Sequence, residues 1–534
     1  MMDNTHENIS EANQAVQGKQ NSDEPAAAAK QKSLKYNVIM NTILTVVSVI
    51  FPLISFPYVS RILNPDGIGS VSFAQSFIAY FTMLASLGVP IYGIRACAKV
   101  RDDKEKLSQT VQEIMIINLI LTVFAYACLL LSVVFIETIN QQKYLILIVS
   151  VSILLSSISI SWLYSALEEY TYITIRTIIF NVLSIICIFI FIREKEDYII
   201  YAVISVLAAT GSGVLNLIHS GKFISFKKKA KYNFRQHLKP IIILFFMTAT
   251  ISIYTNLDKV MLGFMIDDNN VSVGIYDASV KIYRVFIALI TALGAVLLPR
   301  ISYYFQQKKL DEIKALISKG VNLVFTLSIP VVIFFAFYSK EAIILFCGEN
   351  FADSVLPLQI MLPAVLFVGL SNITGIQMLV AMGREKLVVL STSIGAVIDF
   401  VLNIILIPYW GVAATAFSTL AAEFAILVVQ IIILREYIPV LLKGVKILKL
   451  LTIGLVLAAV AYAFTFVNLS NFLILLCAGS AFAVIYFIIL LLFKEPMLLD
   501  LLKALLNLLK SSVKKIRRKN PKERTNENSA LPKP

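Results

Sequence analysis

Fourteen long apolar stretches follow one another along this chain with only short polar breaks, and that repetition restricts the fold more than any single motif. A helix that crosses a bilayer needs about 20 apolar residues. Lipid offers no partner to a bare N–H or C=O, so each stretch must satisfy its own backbone as a helix. The runs are continuous rather than alternating, which excludes an outer-membrane barrel. Hydrophobic residues fill 58% of the 534 positions and charged residues only 15%, against about 25% charged in a soluble domain. The expected fold class is an all-α polytopic membrane protein of about 14 transmembrane helices.

The stretches place helices at 37–62, 71–94, 112–136, 142–167, 171–192, 197–220, 240–265, 273–299, 318–342, 355–382, 384–409, 411–434, 445–467 and 471–493. A polar leader over 1–36 carries no apolar core before a cleavage site, so it reads as a disordered cytoplasmic segment rather than a signal peptide. A basic linker at 221–239 divides an N-terminal six-helix lobe (37–220) from a C-terminal one (240–434), a duplication common in transporters. Gly69 and Gly274 lie in the small-residue segments that open the second and eighth helices; chance recurrence of small residues accounts for that equally well. Two additional helices (445–493) and a basic amphipathic tail (494–534) complete the plan. Leucines recur at helical spacing in that tail, with lysines between them, as in helices that lie on an anionic leaflet or dock a partner.

A net charge of +14 raises the question of nucleic acid, but the cations sit in alternate loops and form no stripe with aromatics, so nucleic acid is not an expected partner. Alternation of this kind marks cytoplasmic loops and puts both termini on the cytoplasmic side of the membrane. The five cysteines have no metal-ligand spacing and read as small hydrophobes. With no phosphate-binding GxxxxGK[ST] loop and no catalytic constellation, the chain reads as a carrier without a cofactor rather than an enzyme.

Charges inside the apolar stretches carry the functional signal, because each costs roughly 3 kcal/mol at a helix centre and survives facing a bundle interior or a water-filled path. Asp258 and Lys259 lie near the outer end of the seventh helix. On the eighth, Asp277, Lys281 and Arg284 are spaced i, i+4, i+7 and share a face. One reading is an anion-attracting wall in which Asp258 and Asp277 hold the bases; the other is a buried ion-pair network that fixes packing. Asp399 and Glu423, on consecutive antiparallel helices, fall at similar depth, with Asn403 and Thr419 one turn away. That group is either a coupling site for Na⁺ or a proton or a neutral structural pair, and the sequence sets it apart from the basic wall. Arg61, Arg95 and Arg176 sit near helix ends, where they either snorkel to headgroups or line the entrance of an anion cavity.

Several segments together resemble the Wzx-type polysaccharide flippases of the multidrug/oligosaccharidyl-lipid/polysaccharide exporter superfamily. They are Phe56-Pro57-Tyr58-Val59-Ser60-Arg61-Ile62-Leu63-Asn64-Pro65-Asp66-Gly67-Ile68-Gly69, Tyr92-Gly93-Ile94-Arg95, Leu257-Asp258-Lys259-Val260-Met261-Leu262-Gly263, and Asn403-Ile404-Ile405-Leu406-Ile407-Pro408 with Gly411. The similarity spans roughly 35–495. It implies two six-helix lobes with two added helices, and translocation of an undecaprenyl-pyrophosphate-linked glycan from the inner to the outer leaflet by alternating access. The product would serve capsule, O-antigen or exopolysaccharide synthesis, with membrane lipids and polysaccharide polymerases or other assembly proteins as partners. A cation-coupled multidrug or metabolite exporter of the same superfamily, a lipid II flippase and a membrane scaffold are the alternative readings.

Overall fold

The computed structural model describes residues 34–227, 231–268, 270–292, 300–305, 307, 309–443, 447–467 and 469–493. The leader up to residue 33, the middle of the linker and the amphipathic tail lie outside the described residues. Helices and their connections make up what is described, with no strand among them. The chain is an all-α polytopic membrane protein.

Among the described residues, ten helices are long and apolar enough to cross a bilayer, or eleven if one bent pair is a single span. With the bent pair, Glu349–Met361 and Ala364–Val380, taken as the tenth expected helix, the number is three short of the expected fourteen, and three places account for the difference. The first two expected helices form one element, α1 (Leu34–Ser86), bent at Asn64, whose φ of 57° breaks the helical path. Pro65 has no amide to lose and restarts the helix directly, so the loop expected between them is helical. The eighth helix, α10 (Val271–Thr291), carries Asp277, Lys281 and Arg284, three charges in 21 residues. The thirteenth, α15 (Ile447–Phe464), has only a short apolar section, Thr452–Phe464.

The longer elements that follow in the first half are α2 (Val89–Ala98), α3 (Lys104–Phe135), α4 (Lys143–Ile158), α5 (Ser161–Ala166), α6 (Tyr170–Phe191) and α7 (Tyr198–Val206), with a five-residue helical turn, Glu137–Gln141, between α3 and α4. A π-helical turn, Leu207–Gly211, joins α7 to α8 (Ser212–Ser220). Asp103 caps α3 by accepting from the amides of Glu105 and Lys106 at 3.0 Å. The Lys106 amide holds the exposed carboxyl below its usual range. In the second half come α9 (Arg235–Met265), α10, α11 (Leu310–Cys347), α12 (Val355–Ser371), α13 (Glu385–Trp410) and α14 (Val412–Ile433); α15 and α16 (Asn471–Leu492) pack on α11.

The halves meet along α1, which touches α3, α4 and α6 on one side and α9 and α10 on the other. One apolar core runs through both halves, from Phe56 and Phe73 of α1 to Met361 and Leu362 of α12. Close approach of α1 and α10 depends on two glycines. A side chain on Gly69 would strike the Asn270 carbonyl, and one on Gly274 would strike that of Pro65. The small-residue openings of these two helices thus face each other. At the opposite end Gly88, with φ of 85°, brings its backbone against Leu244 and Phe245 of α9.

Candidate functional site

Asp277 is 2% exposed in the middle of the bundle and is held by two lysines. Lys259 of α9 bonds to one carboxylate oxygen, and Lys281, one turn along α10, reaches the other at 2.7 Å. The Lys281 ammonium also stands 3.6 Å from the ring centroid of Phe56 on α1, so a carboxylate and a π face share its charge. This triad ties α9, α10 and α1 together.

Asp258 departs from its expected role as a partner of the bases. It accepts hydrogen bonds from the hydroxyl of Tyr276, from Asn403 Nδ2 at 2.7 Å and from Thr419 Oγ1 at 3.0 Å. Its helix turns it toward α13 and α14, about 100° around from Lys259. Asp399, fully buried on α13, faces the same carboxyl. Glu423 of α14 accepts from Tyr254 Oη at 2.8 Å. The separation expected between Asp399 and Glu423 and the α9–α10 hairpin is therefore corrected: Asp258 joins Asp399 to it, and Tyr254 joins Glu423.

Both oxygens of Asp399, Oδ1 of Asn403 and the hydroxyl of Tyr80 on α1 are buried without a hydrogen-bond partner among the described residues. Among those residues no three of His, Cys, Asp and Glu come close enough to share a metal ion. Beside the cluster lies a cavity of about 170 Å³, lined by Asp258, Glu423, Lys259 and Arg284 together with Tyr254, Tyr276 and Tyr283. Two acids and two bases face it, rather than the surplus of bases expected of an anion wall: Asp277 and Lys281 pair with each other outside its lining, and Glu423 of α14 adds the second acid. Arg284 is exposed and has no acidic partner among the described residues.

The other three predicted arginines do not converge. Arg61 binds the carbonyls of Pro57 and Leu345. Arg95 lines a cavity of about 660 Å³ between the halves, beside Lys99 and Lys239. Arg176 is buried between α6 and α8, bonded to Asn216.

Two polar features went unread in the sequence. His237 of α9 bonds Glu113 of α3 at 2.6 Å and Tyr92 of α2 at 2.7 Å, closing the halves together at their basic end. The signal was faint, a single His beside a basic loop. The other feature is a cavity of about 520 Å³ with an apolar lining that includes Ile78, Met83 and Val149, and with polar groups from Gln75, Thr82 and Ser86 of α1, Ser152 and Ser156 of α4, Ser205 of α7, Thr210 of the π-helical turn and Ser252 of α9. Thr82, Ser86, Ser152 and Thr210 donate to carbonyls of their own helices. Their lone pairs are left to accept from a guest. In sequence each is one hydroxyl in an apolar run, and only the packing assembles them.

Residues 34–305 match the family described as polysaccharide biosynthesis protein. A protein of Escherichia coli (strain K12) named as an O-antigen transporter is 24% identical over 357 residues, 66% of this chain and 85% of the relative. One of the same name from Shigella dysenteriae is 23% identical over 74% of this chain and 98% of its own. The solved structure of lipid II flippase MurJ in an inward closed conformation superimposes with a TM-score of 0.63 over 87% of this chain and 99% of that one. Identity there is 17%, so the likeness is one of fold.

Proposed function

Since the chain belongs to the polysaccharide biosynthesis protein family, on its flippase branch, we propose that it carries an undecaprenyl-pyrophosphate-linked oligosaccharide from the inner to the outer leaflet. The hydroxyl-bordered cavity between α1, α4, α7 and α9 carries this reading. Sugars present many O–H donors, and the Thr82, Ser86, Ser152 and Thr210 oxygens, whose own protons are already engaged, offer them acceptors without charge among the apolar side chains of Ile78, Met83 and Val149. The pyrophosphate needs cations in a protected place. Arg95, Lys99 and Lys239 supply them at the basic end of the interface, and Arg284 supplies one deeper in.

Transport proceeds by alternating access. The Gly69–Gly274 approach closes one end and the Glu113–His237–Tyr92 contact the other, and each opens in turn. An inside-negative potential assists outward movement of the anionic head by about 2.3 kcal/mol per charge per 100 mV. The facing Asp258 and Asp399 carboxyls are suited to holding one proton between them, and a proton is taken as the coupling ion on that geometry. A multidrug exporter would set a cationic cargo against Asp258 and Glu423, but Lys259 and Arg284 on the same wall oppose it.

The test is complementation of a bacterial strain that lacks its flippase for a lipid-linked repeat unit. The wild-type chain restores surface polymer, and the double substitution Ser152→Leu, Ser156→Leu, which fills the cavity, does not. Full restoration by the filled variant overturns this placement of the glycan path.

A further inference from the structure

The basic end of α6 and α8 forms a pocket that plays no part in the proposed path. It holds about 530 Å³ and is bordered on one side by Ile175, Ile179, Phe180 and Leu215, and on the other by Arg176, His219 and Lys222, with Glu169 also on its wall. Ile175, Ile179 and Leu215 are among the exposed apolar residues of the bundle exterior. The pocket therefore opens toward lipid rather than toward the interface of the halves.

Arg176 is 8% exposed, and its Nε has no partner among the described residues. Its one terminal nitrogen with a side-chain partner bonds to the neutral Asn216, and the guanidinium lies 5.7 Å from the Tyr172 ring centroid. Asn216 is fixed in turn by donating to the Ser159 carbonyl at 2.8 Å. A buried cation held by neutral groups retains most of its field for a guest. The stacked rings of Tyr172 and His219, with centroids 4.4 Å apart, stiffen the wall beside it. Six residues into α6, Arg176 lies about 9 Å along that helix from its start at Tyr170.

We infer that this pocket is a binding site for an anionic glycerophospholipid, with the phosphodiester against Arg176 and Lys222 and one acyl chain along Ile175, Ile179 and Leu215. Arg176 and Lys222 against Glu169 leave a surplus of one positive charge, which matches the single negative charge of a phosphodiester and not the higher charge of a pyrophosphate. The site is on the flank of the first half, so a lipid held there pins α6 to α8 without entering the transport path. The inference does not rest on the identity of the transported glycan.

The experiment uses the full chain, purified in a mild detergent and studied by native mass spectrometry and thermal unfolding. Phosphatidylglycerol, phosphatidylcholine, undecaprenyl phosphate and inorganic phosphate are added separately. Phosphatidylglycerol is expected to remain bound and raise Tm, while the zwitterionic lipid and free phosphate do neither. Arg176→Gln and Lys222→Glu should each lower the phosphatidylglycerol occupancy at least tenfold. Lys222 is a surface lysine, so its variant keeps the test open if the Arg176 variant fails to fold. Equal binding of phosphatidylcholine, tighter binding of undecaprenyl phosphate, or unchanged occupancy in Lys222→Glu would each overturn the inference.

Discussion

Asp258 and Lys259 are consecutive in α9 and serve different electrostatic clusters. The carboxylate accepts from Tyr276, Asn403 and Thr419, and the ammonium binds Asp277. One turn of helix thus joins an ion-paired triad to a group of acids and hydroxyls. A change of charge in the second group has a direct mechanical route to the helices tied by the first.

The triad is expected to be structural. Asp277→Ala leaves Lys259 and Lys281 buried together without a counter-charge, and breaking a buried pair in this way costs about 3–5 kcal/mol. Thermal unfolding in detergent should show a large fall in Tm. Lys281→Met, which retains Lys259 on Asp277 and keeps an apolar stem against Phe56, should fall much less. Equal losses would show that Asp277 does not organise the group.

Asp399 is expected to act in coupling. Asp399→Asn preserves shape and hydrogen-bonding atoms but removes the facing pair of carboxyls. Transport by this variant in proteoliposomes should lose its response to an imposed pH gradient while keeping its response to membrane potential. A pH response equal to that of the wild type, or a new dependence on Na⁺, would return Asp399 to a packing role or point to a different ion.

Gly274→Ala should separate α1 from α10, because the added methyl meets the Pro65 carbonyl and backbone must move. Overpacking of this kind costs roughly 1–3 kcal/mol. Spin labels placed at one exposed position on each helix should move apart in this variant, and unchanged distances would show that the two glycines are not the closing contact.

His237→Ala removes the link from α9 to both Glu113 and Tyr92. Labels at positions 99 and 239, which border the same basic cavity, should report a longer or broader distance distribution by electron–electron resonance. An unaltered distribution would mean that the apolar contacts around Ile241 hold that end closed alone.

The membrane class of the fold was legible because hydropathy acts locally: twenty apolar residues need no tertiary information to be read as a span. The motif around Asn64-Pro65 marked the right place, but its bend reads as a loop when only the apolar gap is counted. Asp277, Lys281 and Arg284 were readable as a face of one helix. Which of them turns toward a partner was not, since Arg284 is three residues from Lys281 and yet lines a cavity that Lys281 does not reach. Asp258 meeting Asn403 joins positions 145 apart in sequence. No periodicity in either helix specifies that contact, and the hydroxyl-bordered cavity assembled from four helices is hidden for the same reason.

The most direct test of the account is a flipping measurement on the full chain in sealed proteoliposomes. A fluorescent undecaprenyl-pyrophosphate-linked oligosaccharide is placed in both leaflets, and a membrane-impermeant quencher reports the fraction exposed outside over time. The account predicts that the inner pool becomes accessible in wild-type vesicles and stays protected in vesicles carrying Arg284→Glu that has folded normally. Protection of the inner pool in wild-type vesicles, equal to that in protein-free ones, would contradict it.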